Sequence, residues 1–140
     1  MTSKLNPYLG FRDTAREAME FYHSVFGGEL TTSTFAEMQA SDDDAESSKI
    51  MHSQLVTPSG YTLMAADTPN SMELSPSSNH SVSLSGDNSD QAELSGYFEK
   101  LSAGGTVALP LEQAPWGDYF GMVVDRFGVQ WLVNIGGSSA

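Results

Sequence analysis

Phe120-Gly121-Met122-Val123-Val124-Asp125-Arg126-Phe127-Gly128-Val129-Gln130-Trp131-Leu132-Val133-Asn134 is the stretch that decides the fold. Two β-type runs, Phe120 to Val124 and Val129 to Ile135, flank Asp125-Arg126-Phe127-Gly128, a turn signal whose glycine closes a short hairpin. Strand side chains alternate, so Gln130, Leu132 and Asn134 share one face, while Val129, Trp131, Val133 and Ile135 share the other. One face is apolar and suits a core, with Trp131 expected to pack on a helix. The other is mixed enough to line a pocket.

Working back from the hairpin, Ser89 to Ala103 reads as a helix with Leu94, Tyr97, Phe98 and Leu101 on one side, preceded by a strand from His80 to Leu84. Gly104-Gly105 stops the helix. The same order occupies the first half. Leu5 to Phe11 is a strand, and Thr14 and Glu17 have capping-box spacing. Ala15, Ala18, Met19, Tyr22, Val25 and Phe26 form a helical stripe ended by Gly27-Gly28. Glu29 to Phe35, Lys49 to Thr57 and Tyr61 to Ala66 follow as strands, the last two joined through Pro58-Ser59-Gly60. A constant shift of 77 residues pairs Asp13 with Asp90, Ala15 with Ala92, Phe21 with Phe98, Gly27-Gly28 with Gly104-Gly105 and Leu30 with Val107.

The reading is an α+β fold of two βαβββ modules, residues 1–67 and 80–140, joined by a Pro-, Ser- and Asn-rich linker at 68–79 within one structural domain. Each module carries its helix on the outer face of a sheet, leaving the other faces to curve around a common cleft.

Composition narrows the function. The chain has 140 residues and a formal net charge of -12, which opposes binding to phosphate backbones and anionic membranes. A cationic ligand is compatible with that field. No 18-residue apolar run and no signal-peptide pattern at the start predict neither membrane insertion nor export, and so a cytoplasmic protein. Zero cysteines leave His, Asp, Glu and water as the metal ligands open to it. The run Asp42-Asp43-Asp44-Ala45-Glu46 lacks the spacing and glycine of a calcium loop and reads as a solvated surface segment. Both glycine pairs follow helices instead of opening them, so they are helix stops and not phosphate cradles.

Three segments resemble the vicinal-oxygen-chelate superfamily (glyoxalase/bleomycin-resistance/dioxygenase proteins) in its PhnB-like branch. They are Pro7-Tyr8-Leu9-Gly10-Phe11 leading to Ala18 through Leu30, then Asn79-His80-Ser81-Val82-Ser83-Leu84, then Trp116 through Gly121 running into Asp125-Arg126-Phe127-Gly128-Val129-Gln130-Trp131. The resemblance implies paired modules forming a cupped mixed sheet, a homodimer, and a small-molecule ligand inside the cup. In the superfamily's metal enzymes, cup-facing side chains bind a divalent ion. Carried over, those places are Asn6, Leu63 or Met64, His80 and Leu132, and of these only His80 is a competent ligand. Leu132 stands where a glutamate is typical and has no lone pair to offer.

The expectation is therefore ligand binding by Tyr8, His52, Gln54, His80, Trp116, Tyr119, Gln130, Leu132 and Asn134 without the standard metal site or another cofactor. One alternative is a divalent-metal-dependent isomerase, lyase or dioxygenase built on His52 and His80, with Gln54 beside His52 and a carboxylate such as Asp67 or Glu73. The other is a non-catalytic structural or regulatory member. Some relatives in this branch are called methyltransferases, but no glycine-rich loop after a first strand suggests adenosylmethionine binding.

Overall fold

A computed structural model of the chain describes residues 4–37, 47–69, 72 and 80–136. The acidic run and most of the expected linker lie outside the described residues. Two compact units emerge, Met1–Pro76 and Ser77–Ala140.

In the first unit, β1 (Tyr8–Phe11), α1 (Ala15–Phe26), β2 (Glu29–Thr34), β3 (Ile50–Val56) and β4 (Thr62–Asp67) follow the expected order. The sheet runs β1-β4-β3-β2, with β1 parallel to β4 and the other pairs antiparallel. α1 buries Ala15, Ala18, Met19, Tyr22, Val25 and Phe26, the stripe that its period predicts. It packs on β2, β3 and β4, whose inward alternates include Leu55, Leu63 and Ala65. The opposite face, with Tyr8, His52, Gln54 and Met64 among its residues, has no helix of this unit over it among the described residues.

The start of α1 departs from expectation. Thr14 makes no side-chain cap. Instead the buried Asp67 carboxylate, at the end of β4, accepts from the Ala15 amide at 2.9 Å and from the Ile50 amide at 3.0 Å. An ionised acceptor makes stronger hydrogen bonds than a hydroxyl, so a strand residue far away in sequence caps the helix.

In the second unit, β5 (Val82–Gly86), α2 (Gln91–Ser102), β6 (Thr106–Gln113), β7 (Tyr119–Val124) and β8 (Gln130–Ile135) form the sheet β5-β8-β7-β6, again with one parallel pair, β5 with β8. β5 begins two residues later than the sequence pattern suggests. Its ladder opens at Val82 opposite Trp131, and β8 itself starts only at Gln130, so His80 and Ser81 precede the strand. Leu94, Phe98 and Leu101 of α2 are buried over Leu84, Val123, Trp131, Val133 and Ile135, with α2 in contact with β5, β6, β7 and β8. Tyr97 is only half-buried, and its hydroxyl donates to Glu93 at 2.6 Å. β6 is an exposed edge strand containing Pro110, and its pairing with β7 shifts register twice.

The internal repeat is real, but its register differs between elements. The buried positions of α2 match Ala18, Tyr22 and Val25 of α1 at a shift of 76 residues. Tyr22, not Phe21, is therefore the counterpart of Phe98. One extra residue, Ala103, separates α2 from its glycine pair and restores the shift of 77 there.

The two hairpin turns repeat atom for atom in the backbone. Thr57 N–H donates to Tyr61 O and Gly60 N–H to Thr57 O, each at 3.0 Å. Asp125 N–H donates to Val129 O at 2.9 Å and Gly128 N–H to Asp125 O at 3.0 Å. Gly60 and Gly128 take φ of 91° and 89°, the left-handed region that a β-carbon disfavours. The Thr57 hydroxyl and the Asp125 carboxylate each accept from the amide that closes the turn, Tyr61 and Val129 respectively. Asp125 goes further. Its Oδ1 also accepts from the Phe127 amide at 2.8 Å and its Oδ2 from Trp131 Nε1 at 2.9 Å. From the same turn, Arg126 donates twice to the Ala103 carbonyl at the end of α2.

α2 is entered through a short 3-10 turn, Asn88–Asp90, closed by a capping box. Asp87 accepts from the Ser89 amide at 2.8 Å while Asp90 accepts from the Asp87 amide at 3.1 Å. Among the described residues, no helix is long and apolar enough to cross a membrane.

Two outcomes are expected. Asp125→Ala orphans three N–H donors around a residue that is 3% exposed, and should lower unfolding free energy by about 2–4 kcal/mol in urea denaturation. Hydrogen bonds from the Ser89 hydroxyl, and then from its amide, hold the Asp87 carboxyl below the ordinary aspartate range. Because the folded value is the lowered one, the cap contributes fully above the ordinary range and is lost as pH falls through the lowered value. Carboxyl-carbon NMR titration should place Asp87 below a free aspartate, and Ser89→Ala should move it back up.

Candidate functional site

Cross-strand register defines what each open face presents. In the first unit, Tyr8, Met64, Gln54 and Thr31 stand in one row across β1, β4, β3 and β2. In the next row, Gly10 stands opposite Ala66 and His52 opposite Ser33. Three of the expected ligand-binding residues, Tyr8, His52 and Gln54, thus come together on one face. The Tyr8 hydroxyl lies 3.3 Å from His52 Nδ1, with ring centroids 5.9 Å apart. The Gln54 side-chain amide is half-buried and makes no hydrogen bond within the described residues.

In the second unit, Gln130, Leu132 and Asn134 alternate with the buried Trp131, Val133 and Ile135, so these three expected residues also share an open face. Leu132 is paired with Ser83 and Met122, and Asn134 with Ser85 and Phe120. The Ser81 hydroxyl donates to Gln130 Oε1 at 3.0 Å. Asn134 Nδ2 donates to Asp118 Oδ2 at 3.5 Å, a long contact.

Tyr119 does not join them. It stands directly opposite Ile135, and therefore on the helix-covered side, because alternation puts it with Gly121 and Val123. Phe120 and Met122 are the β7 residues on the open face. Counting alternation back from Asn134 through the hairpin would have found them. Trp116 lies in the turn after Ala114 and is 69% exposed. His80 is exposed ahead of β5.

The places that the superfamily uses for a divalent ion can be tested on donor chemistry. Asn6 precedes β1. Met64, and not Leu63, is the open-face residue of β4, since Leu63 faces α1 with Leu55. Leu132 is on the open face as expected. A thioether and an isobutyl group are poor partners for an ion that takes nitrogen and oxygen ligands, so these residues do not fit the standard site. Asp67 is no help to the alternative site, because both of its oxygens are engaged by backbone amides in the core. Glu73 lies outside the described residues. His52 belongs to the first unit and His80 to the second. Among the described residues, no three His, Asp or Glu side chains gather as an ion would require.

Two βαβββ units, each with one helix-covered and one open sheet face, define a protein of the vicinal-oxygen-chelate class. The model of the family described as 3-demethylubiquinone-9 3-methyltransferase matches residues 3–134, and the chain belongs to that family, the PhnB-like branch of the class. It is similar to protein PA1353 of Pseudomonas aeruginosa, with 37% identity over 96% of this chain and 98% of that one and a TM-score of 0.79. Protein YjdN of Escherichia coli is 29% identical over 94% of each chain. The PhnB protein of Bacillus cereus shares the fold at 24% identity and a TM-score of 0.70, covering 96% and 100% of the two chains. A glyoxylase/bleomycin resistance protein/dioxygenase domain from Frankia does so at 13% and 0.66, covering 100% and 96%.

Asp67→Ala should destabilise the protein by about 2–4 kcal/mol, since two buried amides lose an ionised acceptor. The loss, read by urea denaturation, should be the same with and without a chelator.

Proposed function

We propose that this protein is a small-molecule-binding member of the superfamily, holding an organic ligand against its open sheet faces without the superfamily's divalent ion. The observation that carries the reading is the composition of those faces. On the first, Tyr8, His52, Gln54 and Thr31 interleave with Met64, Ala66 and Gly10. On the second, Leu132, Met122 and Phe120 are flanked by Gln130, Asn134, Ser83 and Ser85. Apolar surface with a few placed hydrogen-bonding groups is what a ligand site needs. Gln54 in particular offers a donor and an acceptor that no other described residue uses.

Leu132 in place of a carboxylate, and Met64 across the β4 position, support binding by enclosure instead of ion-assisted chemistry. We take the working form to be a homodimer, as the resemblance implies, and its location to be the cytoplasm. The family's description favours a second reading, methyl transfer to a ring hydroxyl; transfer of a labelled methyl group from adenosylmethionine to a quinol would establish it in place of the first.

The test is thermal denaturation against a small-molecule panel, with metal analysis of protein purified without a histidine tag. A ligand at 100 times its dissociation constant stabilises the folded state by about 2.7 kcal/mol, and Gln54→Ala should reduce the gain in melting temperature. Stoichiometric zinc, nickel, iron or manganese that disappears in His80→Ala would overturn the proposal in favour of a metal enzyme on His52 and His80. No shift across the panel would leave a structural role.

A further inference from the structure

We infer that His52 and Gln54 form a recognition pair for an uncharged planar ligand bearing a carbonyl-type acceptor, with Tyr8 a positioning residue that fixes the tautomer of His52. The inference rests on the ligand-binding reading above and names its substrate class.

The geometry begins with the bond between Tyr8 Oη and His52 Nδ1 at 3.3 Å. A phenol is the better donor of the two and a ring nitrogen the better acceptor, so the hydroxyl donates and Nδ1 accepts. In neutral imidazole that leaves the proton on Nε2. No described residue takes up Nε2, so an N–H donor remains available on the open face. Gln54 is two residues along the same strand and on the same face, which sets its amide about 7 Å from His52 measured between α-carbons. The two side chains can therefore meet one small polar group from adjacent positions, His52 donating and Gln54 both donating and accepting. Tyr8 reaches His52 from β1 across β4, where Ala66 and its partner Gly10 add almost no side chain. These small residues let a flat molecule approach the sheet, and the half-exposed phenol ring, at 55%, gives it an apolar edge to pack on.

Charge decides between ligand classes. The two rows Tyr8–Met64–Gln54–Thr31 and Gly10–Ala66–His52–Ser33 contain no carboxylate, lysine or arginine, and Glu29 stands only at the outer edge, beyond Thr31. An anion would meet a net charge of -12 at long range and no cation at short range. A cation would be drawn to the molecule by the same charge, but on this face it would lose hydration with no carboxylate to replace it. A neutral amide, lactam or quinone-like carbonyl has neither problem.

Nitrogen-15 NMR of the imidazole at about pH 8, where a free imidazole is neutral, tests the tautomer without any ligand. The wild type should show Nε2 protonated and Nδ1 bare, and Tyr8→Phe, which removes one exposed hydroxyl, should shift His52 towards a tautomer mixture. Titration with benzamide, benzoate and benzylamine then separates neutral, anionic and cationic forms of one ring. Benzamide should perturb the His52 and Gln54 side chains, with its affinity falling about three- to tenfold in Tyr8→Phe and in Gln54→Leu. An unchanged tautomer in Tyr8→Phe, equal or stronger perturbation by either charged ring, or no binding of benzamide would each overturn the inference. If other ligands of the panel still raise the melting temperature, the ligand-binding function survives that failure; if none does, both fall.

Discussion

Each unit depends on a place where a strand enters the sheet with no side chain at all. A β-carbon on Gly28 would overlap the Val56 carbonyl oxygen, and one on Gly105 would overlap that of Val124. In both units this contact joins the end of the helix to the strand that runs into the hairpin turn. The helix can then fold back onto the sheet within two residues, which brings its apolar stripe over the inward alternates of the central strands. Only glycine permits the approach, and at Gly28 a φ of 98° adds a conformational reason. The double glycine that looks like a mere stop in the sequence is therefore a packing surface. The covered face of each sheet follows from it, and so does the open one.

Much of the fold was legible because it is written in short-range signals. The α1 stripe, the Pro58-Ser59-Gly60 and Asp125 to Gly128 turns, and the alternation along β8 are periodicities or turn chemistries that one window contains. What escaped was long-range. Nothing near Thr14 announces that a carboxylate on β4 will cap the helix, because the competition between Thr14 and Asp67 exists only once the sheet has formed. The face of Tyr119 follows from pairing: it stands opposite Ile135, on the same side of β7 as Gly121 and Val123. The repeat register failed along the helices, whose buried positions follow a shift of 76, and it recovers 77 only beyond Ala103.

The candidate site was readable in part. Alternation placed His52 with Gln54, and Leu132 with Gln130 and Asn134, on open faces. That Tyr8 would reach His52 was not readable, since it depends on Gly10 and Ala66 standing opposite each other across two strands distant in the chain. Of the two carboxylates suggested for an atypical metal site, Asp67 alone lies among the described residues. Asp67 is spent on architecture, which is the usual fate of a buried acid whose oxygens find backbone amides.

The edge strands have a consequence of a different kind, one for the protein as a concentrated solute. β6 carries Val107 and Leu109 exposed on an unpaired rim, a combination that invites strand-to-strand stacking between molecules. Yet its ladder slips twice, and Pro110 withholds an amide in the middle of it. β2, the corresponding rim of the first unit, is also irregular, between Ser33 and Thr34. A passing chain would find a broken row of hydrogen-bonding partners at either border. Protection against aggregation thus comes from irregularity in the backbone itself, at the rims of both sheets.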